Sequence, residues 1–123
     1  MIIDELNPKV IDIFIRESYL TKRQLEILLD FYQRKILSKA IQNRRGKVRL
    51  NDKVISRGTY YRILSQARRN IIKAIITIII VTSLNIVSRH DITTLINRIN
   101  IIDIEEEIAR EIINLLNEIF KFK

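Results

Sequence analysis

The residues with the clearest chemical potential stand together in the segment SRGTYYR at residues 56–62. Ser56 is a typical helix N-cap, and Ile55 and Tyr60 have the spacing of a hydrophobic staple, so a helix is predicted to begin here. The N–H groups at a helix start attract anions, and outward side chains of its first turns can reach base edges in a major groove. The residues predicted to contact bases are Arg57, Gly58, Thr59, Tyr61 and Arg62.

Cations surround this segment. Residues 22–73 contain fifteen Lys or Arg and three Asp or Glu, both flanks are slightly acidic, and the whole chain has a net charge of +8. This concentrated charge favours a polyanionic partner. A solvated charged surface is the alternative, but it predicts mixed signs, and Asp52 is the only acid between Gln33 and Lys73. The side chains predicted to hold DNA phosphates are Lys22, Arg23, Arg44, Arg45, Lys47, Arg49, Lys53, Ser65, Arg68 and Arg69.

Sequence signals for catalysis or metal binding are poor. The chain has no Cys, and its single histidine, His90, lies beside Asp91 at a predicted helix start, where a surface or capping role is usual. The acidic residues 105–107 suit the positive end of a helix and have no His or Asp partner at ligand spacing. RRGKVR lacks the spacing of a phosphate-binding loop. We therefore expect no enzyme activity, metal, cofactor or small-molecule ligand.

The helix after Ser56 is predicted to continue to about Leu84. Isoleucine-rich residues 75–82 also have strand propensity, but their continuity with a helical pattern favours a helix. The inward side of its first half consists of Tyr60, Ile63, Leu64 and Ala67. From Ile72 onward the opposite side is apolar as well, and two apolar faces need two sets of neighbours. We expect a homodimer interface formed by Ile72, Ile76, Ile79 and Ile80.

The apolar run at residues 71–87 also raises the possibility of a membrane span. It includes Lys73 and several polar residues, and it is at the lower limit of the roughly 20 apolar residues that a span needs. A core or oligomer-interface helix is therefore favoured. The first residues include Asp4 and Glu5 and no small-residue cleavage site, so no signal peptide is predicted. We expect a cytoplasmic protein.

Two shorter helices are predicted before the basic segment. Asn7 can cap the first, Pro8 suits its first position, and it is expected to end near Tyr19. Thr21 and Gln24 have the spacing of a capping box at the start of the second. The inward stripe predicted for the second helix is Leu25, Leu28, Leu29, Tyr32 and Ile36.

Residues 42–56 are the least regular part of the sequence. Alternating apolar and cationic residues around Asn51-Asp52 favour a short β-hairpin at residues 47–55, with an extended basic loop as the alternative. The helix before it is expected to end near Ser38 or near Asn43.

Two further helices are predicted to close the chain. Ser88 opens the first, and Asp103 is expected to cap the second. Their predicted inward residues are Ile92, Leu95, Ile96 and Ile99, then Ile104, Ile108, Ile112, Leu115, Ile119 and Phe122. The fold class predicted from these patterns is all-α, a single domain with a DNA-binding part at residues 20–74 and core or dimerisation helices at residues 75–123.

Two segments resemble a known family. LTKRQLEIL at residues 20–28 is similar to the LTxRQxEVL opening of the sigma-factor region-four-like helix-turn-helix, which includes archaeal Tfx-type regulators. SRGTYYRIL at residues 56–64, followed by ARRNI at residues 67–71, resembles that family's recognition helix. The resemblance implies a helix-turn-helix regulator that binds duplex DNA. It departs at RRGKVRLNDKVIS, residues 44–56, where the family has a short turn.

The leading hypothesis is therefore a sequence-specific, dimeric transcriptional regulator. A non-specific nucleic-acid or chromatin-type protein would use the same charge without recognition side chains. A helical protein-interaction module would place the basic face against an acidic partner. The isoleucine-rich composition suits an AT-rich genome or a thermophile.

Overall fold

The computed structural model describes residues 6–37, 47–50 and 53–120, with the backbone alone for residues 34–37 and 47–49. Helices dominate these residues, which confirms the predicted all-α class, and the predicted hairpin is present. The elements in chain order are α1 (Pro8–Arg16), α2 (Lys22–Leu37), β1 (Lys47–Leu50), β2 (Lys53–Ser56), α3 (Arg57–Ser83), α4 (Arg89–Arg98) and α5 (Glu106–Ile119).

The first helix begins as predicted but ends early. The Asn7 side chain accepts a hydrogen bond from the Lys9 N–H at 3.0 Å, and Pro8 occupies the first turn. α1 ends at Arg16, not near Tyr19, because the N–H groups of Glu17 and Ser18 bond three residues back and tighten the last turn.

The second helix begins with the predicted capping box. The Gln24 N–H donates to Thr21 Oγ1 and the Thr21 N–H donates to Gln24 Oε1, both at 3.1 Å. These two bonds satisfy two of the donors that a helix start otherwise leaves unpaired. The helix end predicted between Ser38 and Asn43 lies outside the described residues.

The two strands form an antiparallel hairpin between α2 and α3. Lys47 pairs with Ser56 and Leu50 with Lys53, so β2 leads directly into the first turn of α3. Leu50 is buried in the main core cluster. The turn predicted at Asn51-Asp52 lies outside the described residues.

The main core lies between α2, α3 and the hairpin. Its buried members are Ile27, Leu28, Leu50, Tyr60, Leu64 and Ala67, and Ile63 packs against them. The predicted inward side of α3 is thus confirmed. The stripe predicted for α2 is partly wrong, because Ile27 is fully buried whereas Tyr32 is 50% exposed. Contacts with α3 turn α2 so that Gln24, Ile27 and Leu28 face inward.

The last two helices depart further from the predicted pattern. Ser88 opens α4 as predicted, and its side chain caps the helix by accepting from the Asp91 N–H at 3.3 Å. Asp103 does not cap α5: its N–H bonds to the Asn100 carbonyl in a turn, and Glu105 occupies the N-cap position without a side-chain bond.

The inward stripes predicted for α4 and α5 are also partly wrong, because several of their residues are exposed in a single copy of the chain. Ile96 is 71% exposed, and α5 buries Ala109 instead of the large side chains. The predicted inward residues of α5 that are exposed are Ile108, Leu115 and Ile119. Phe122 lies outside the described residues.

Among the described residues, extensive packing joins α2 with α3, α1 with α5, and the hairpin with both α2 and α3. Val10 and Ile11 are the buried residues of α1. No helix in the described part of the chain has both the length and the apolar character that crossing a membrane requires.

Candidate nucleic-acid interface

Two polar contacts fix how α3 lies on α2. Near the start of α3, the Tyr60 hydroxyl donates to Asp30 Oδ2 at 2.7 Å. Farther along, Asn70 Nδ2 donates to the Tyr19 carbonyl at 3.0 Å and to Gln24 Oε1 at 3.2 Å. The start of α3 therefore meets the second half of α2, and its middle meets the beginning of α2. The two helices run antiparallel, and these contacts decide which side of α3 faces outward.

Replacing Tyr60 with Phe is expected to destabilise the protein by about 1–3 kcal/mol, because Asp30 loses a partly buried hydrogen bond while the ring stays in place. The free energy of unfolding from urea titration measures this. Tyr61→Phe is the matched control, since the neighbouring ring is 40% exposed. Equal stability of the two variants would contradict a positioning role for the Tyr60 hydroxyl.

The N-terminus of α3 is capped and open to solvent. Ser56 Oγ accepts from the Thr59 N–H at 3.1 Å, and the Ser56 hydroxyl donates to Thr59 Oγ1 at 2.8 Å. The predicted base contact Thr59 thus already shares its hydroxyl with the cap. A Cβ added at Gly58 would meet nothing within 4 Å, so the space beside this turn is free for a close approach.

Replacing Ser56 with Ala is expected to cost about 1 kcal/mol of stability, because the Thr59 N–H loses its acceptor. Urea unfolding followed by circular dichroism measures the loss. Ser65→Ala is the matched control, because Ser65 is exposed in the interior of the same helix, where Ala is the better helix former. A Ser56 variant as stable as the Ser65 variant would contradict the capping role.

Most of the predicted base-contacting residues share one exposed face. Arg57, Gly58, Tyr61 and Arg62 are all exposed, and Thr59 is half-buried. The Arg57 guanidinium lies 5.9 Å from the centre of the Tyr61 ring, within the range of a cation–π contact. This arrangement presents a cation and an aromatic ring side by side.

The same face continues along α3 as a row of cations. Arg62, Ser65 and Arg69 are exposed at helical spacing, and Lys73 follows one turn later. Within the described part of the chain, no carboxylate lies within 4.0 Å of the charged nitrogens of Arg62, Arg69 or Lys73. Their charge is therefore not neutralised by any carboxylate that the structure describes. Lys73 was not among the predicted phosphate contacts, although its spacing from Arg69 would have indicated it.

Three other predicted phosphate contacts have partners in the chain. Lys22 Nζ lies 3.7 Å from Asp12 Oδ1, and Arg23 lies 3.9 Å from Glu26. Such exposed pairs contribute about 0–1 kcal/mol, so a phosphate could displace them. The Arg68 guanidinium lies 4.9 Å from the centre of the Phe31 ring, which places it over the edge of the core.

The remaining predicted phosphate contacts belong to the hairpin and the segment before it. Lys53 is exposed on β2. The backbone of β1 pairs with β2, so Lys47 and Arg49 stand at positions next to the start of α3. Arg44 and Arg45, and the side chains of Lys47 and Arg49, lie outside the described residues.

The four residues predicted at a dimer interface are also exposed. Ile72, Ile76, Ile79 and Ile80 follow the cation row toward the end of α3. The two polar residues that orient α3, Asp30 and Asn70, were missed from the sequence, because only the packed structure shows that they bond across helices.

Comparison with known proteins finds no matching family model, no matching curated protein and no matching solved structure. The resemblance to sigma-factor region-four-like and Tfx-type proteins therefore stays a prediction. Within the described part of the chain, no three His, Cys, Asp or Glu side chains are grouped so that they could hold a metal ion.

Proposed function

We propose that this protein is a sequence-specific duplex DNA-binding transcriptional regulator that acts as a homodimer. The observation that carries the proposal is the outward face of α3. There Arg62 and Arg69 are exposed without ion pairs to any described residue, on a helix whose orientation is fixed by Tyr60 and Asn70. A side chain held on a rigid helix can discriminate between bases, whereas one on a loose segment cannot do so to the same extent.

The geometry of α3 suits a major groove, which is wide enough to admit an α-helix. Arg57, Tyr61 and Arg62 extend from its first two turns, where the helix dipole also attracts phosphate. An Arg can donate two parallel hydrogen bonds to the O6 and N7 atoms of guanine. In the proposed complex, Arg62 reads a base while Arg69 and Lys53 bind phosphates on either side of the groove.

Selection from random duplex DNA, followed by affinity measurement, tests the proposal. Replacing Arg62 with Ala is expected to weaken binding to the selected duplex by roughly 10–100-fold, since a good bidentate contact is worth about 1–3 kcal/mol of discrimination. Binding to random duplex should change far less. Arg89→Ala is the matched control, because Arg89 is exposed on α4 and not part of the cation row of α3, so the variant should bind like the wild type.

A second variant separates charge from geometry. Arg62→Lys keeps the positive charge but lacks the planar fork, so it should bind random duplex like the wild type and lose the preference for the selected one. Equal affinity of the wild type for selected and random duplexes would instead indicate a non-specific nucleic-acid protein. Equal binding to any polyanion, with no footprint on DNA, would favour a protein-interaction module.

A further inference from the structure

The distal half of α3 exposes large apolar side chains on two opposite sides of the helix, while the polar residues Lys73 and Thr77 are exposed between them. The isoleucines of this half with exposed fractions between 37% and 56% are Ile71, Ile72, Ile75, Ile76, Ile78, Ile79 and Ile80. Ile76 and Ile78 are separated by about 200° around the axis, so they lie on opposite sides. Each of these two apolar sides needs a neighbour that covers it.

The described residues leave the isoleucines of this half exposed, although Thr82 near its end is buried. α3 contacts α2 through its first half, as far as Asn70. It then ends in a turn with Asn85 in the left-handed conformation (φ 56°), and α4 and α5 follow. α5 returns to pack on α1, and neither α4 nor α5 packs extensively along α3 in the described residues. The described part of the chain therefore leaves these isoleucines open.

The last two helices carry apolar side chains that are likewise uncovered. In α4 and α5 these are Ile96, Ile108, Leu115 and Ile119. One chain thus presents an open apolar helix and, on other elements, a set of open apolar side chains. Two copies related by a two-fold axis can cover both sets reciprocally, because each surface meets its counterpart on the other copy.

We propose that a second copy of this chain covers both apolar sides of the distal half of α3, with its own α3 against one side and its α4 and α5 against the other. This inference deepens the dimer part of the proposed function and rests on it. The exposed isoleucines and leucine of α3, α4 and α5 present roughly 400–700 Å² of apolar surface per chain, taking about half of each side chain. That matches the apolar share of a stable interface, which buries about 800 Å² per partner.

The sides of α3 can be tested separately by sedimentation without DNA. The wild type is expected to be a dimer at about 1 μM, and both Ile76→Glu and Ile78→Glu should weaken the dimer at least 100-fold, since each would bury an unpaired charge. Val54→Glu is the matched control, because Val54 is 55% exposed on the hairpin and should leave the dimer intact. A wild type that is monomeric at 10 μM, or an Ile78→Glu variant that stays dimeric, overturns the proposal.

Cysteine cross-linking tests the same interface if the glutamate variants fail to fold. The chain has no Cys, so single-cysteine variants can be cross-linked cleanly with a short bismaleimide. Ile76→Cys should yield cross-linked dimers at micromolar concentration, and so should an equimolar mixture of Ile78→Cys and Leu115→Cys chains, since residue 78 is expected to face the partner's α4 and α5. Val54→Cys should not cross-link. Cross-linking at residue 76 without cross-linking in the mixture would overturn the covering of both sides. A wild type that binds DNA as a monomer would overturn this interface and leave the proposal of DNA binding intact. A dimer that does not bind DNA would overturn the proposal of DNA binding and leave the interface intact.

Discussion

Raising the salt concentration from 50 to 200 mM is expected to weaken binding to duplex DNA about a thousandfold. Each chain presents exposed cations without ion pairs in the described residues, and those beside the base-reading Arg62 are Arg69, Lys73 and Lys53. If each neutralises one phosphate, a dimer neutralises about six, and the log–log slope of affinity against salt is about −5. A fourfold rise in salt then costs on the order of 10³ in affinity.

Fluorescence anisotropy with a selected duplex at four salt concentrations gives this slope directly. Replacing Arg69 with Ala should make the slope less steep by about 2, because each protomer loses one phosphate contact. Arg89→Ala removes the same charge elsewhere and should leave the slope unchanged. An affinity that does not respond to salt would exclude the phosphate contacts on which the proposal depends.

The sequence predicted those parts of the fold that depend on interactions between residues close together along the chain. The caps at Asn7 and Ser56, the capping box at Thr21 and the helix start at Ser88 are confirmed. The donor and acceptor of each cap lie within three residues of each other. The inward side of the first half of α3 was also predictable, since helical periodicity separates its apolar and cationic residues cleanly.

The predictions that were wrong concern residues whose burial depends on packing between helices. α2 carries apolar residues around much of its surface, so only its contact with α3 shows that Ile27 is buried and Tyr32 exposed. α5 buries the small Ala109, because the close approach of α1 matters more there than hydrophobicity. The predicted cap at Asp103 was wrong because Asn100 forms a turn there. Its carbonyl accepts from the Asp103 N–H, and its side-chain oxygen accepts from the Ile102 N–H.

Some features of the candidate site could likewise be predicted from the sequence, and others depend on packing between helices. Exposure of Arg57, Tyr61 and Arg62 follows from the helical period and was predictable. The position of Arg68 over Phe31 was not, since the two residues are brought together only when α2 and α3 pack. Long-range contacts of this kind decide which cations remain available to a partner, and residue spacing along one helix does not reveal them.

The spacing of two half-sites is the second prediction with a large effect. α3 rises about 21 Å between Arg62 and Ile76, at 1.5 Å per residue. If two copies cross near Ile76, their Arg62 residues are at most about 42 Å apart. This reaches half-sites one DNA turn apart, about 34–36 Å, but not the roughly 70 Å of two turns. We therefore expect selected sites whose half-site centres are about 10 base pairs apart.

Inserting 5 base pairs between the half-sites should lower affinity roughly 100-fold, because the second half-site turns to the opposite side of the duplex and only one protomer can bind its sequence. An insertion of 10 base pairs restores the facing side but exceeds the reach of the paired helices, so it should lower affinity as well. Duplexes carrying a single half-site set the floor for comparison. Recovery of full affinity with the 10-base-pair insertion would show that the two copies are joined flexibly and do not meet through α3. If α3 rigidly joins the DNA contact to the dimer interface, both insertions must lower the affinity.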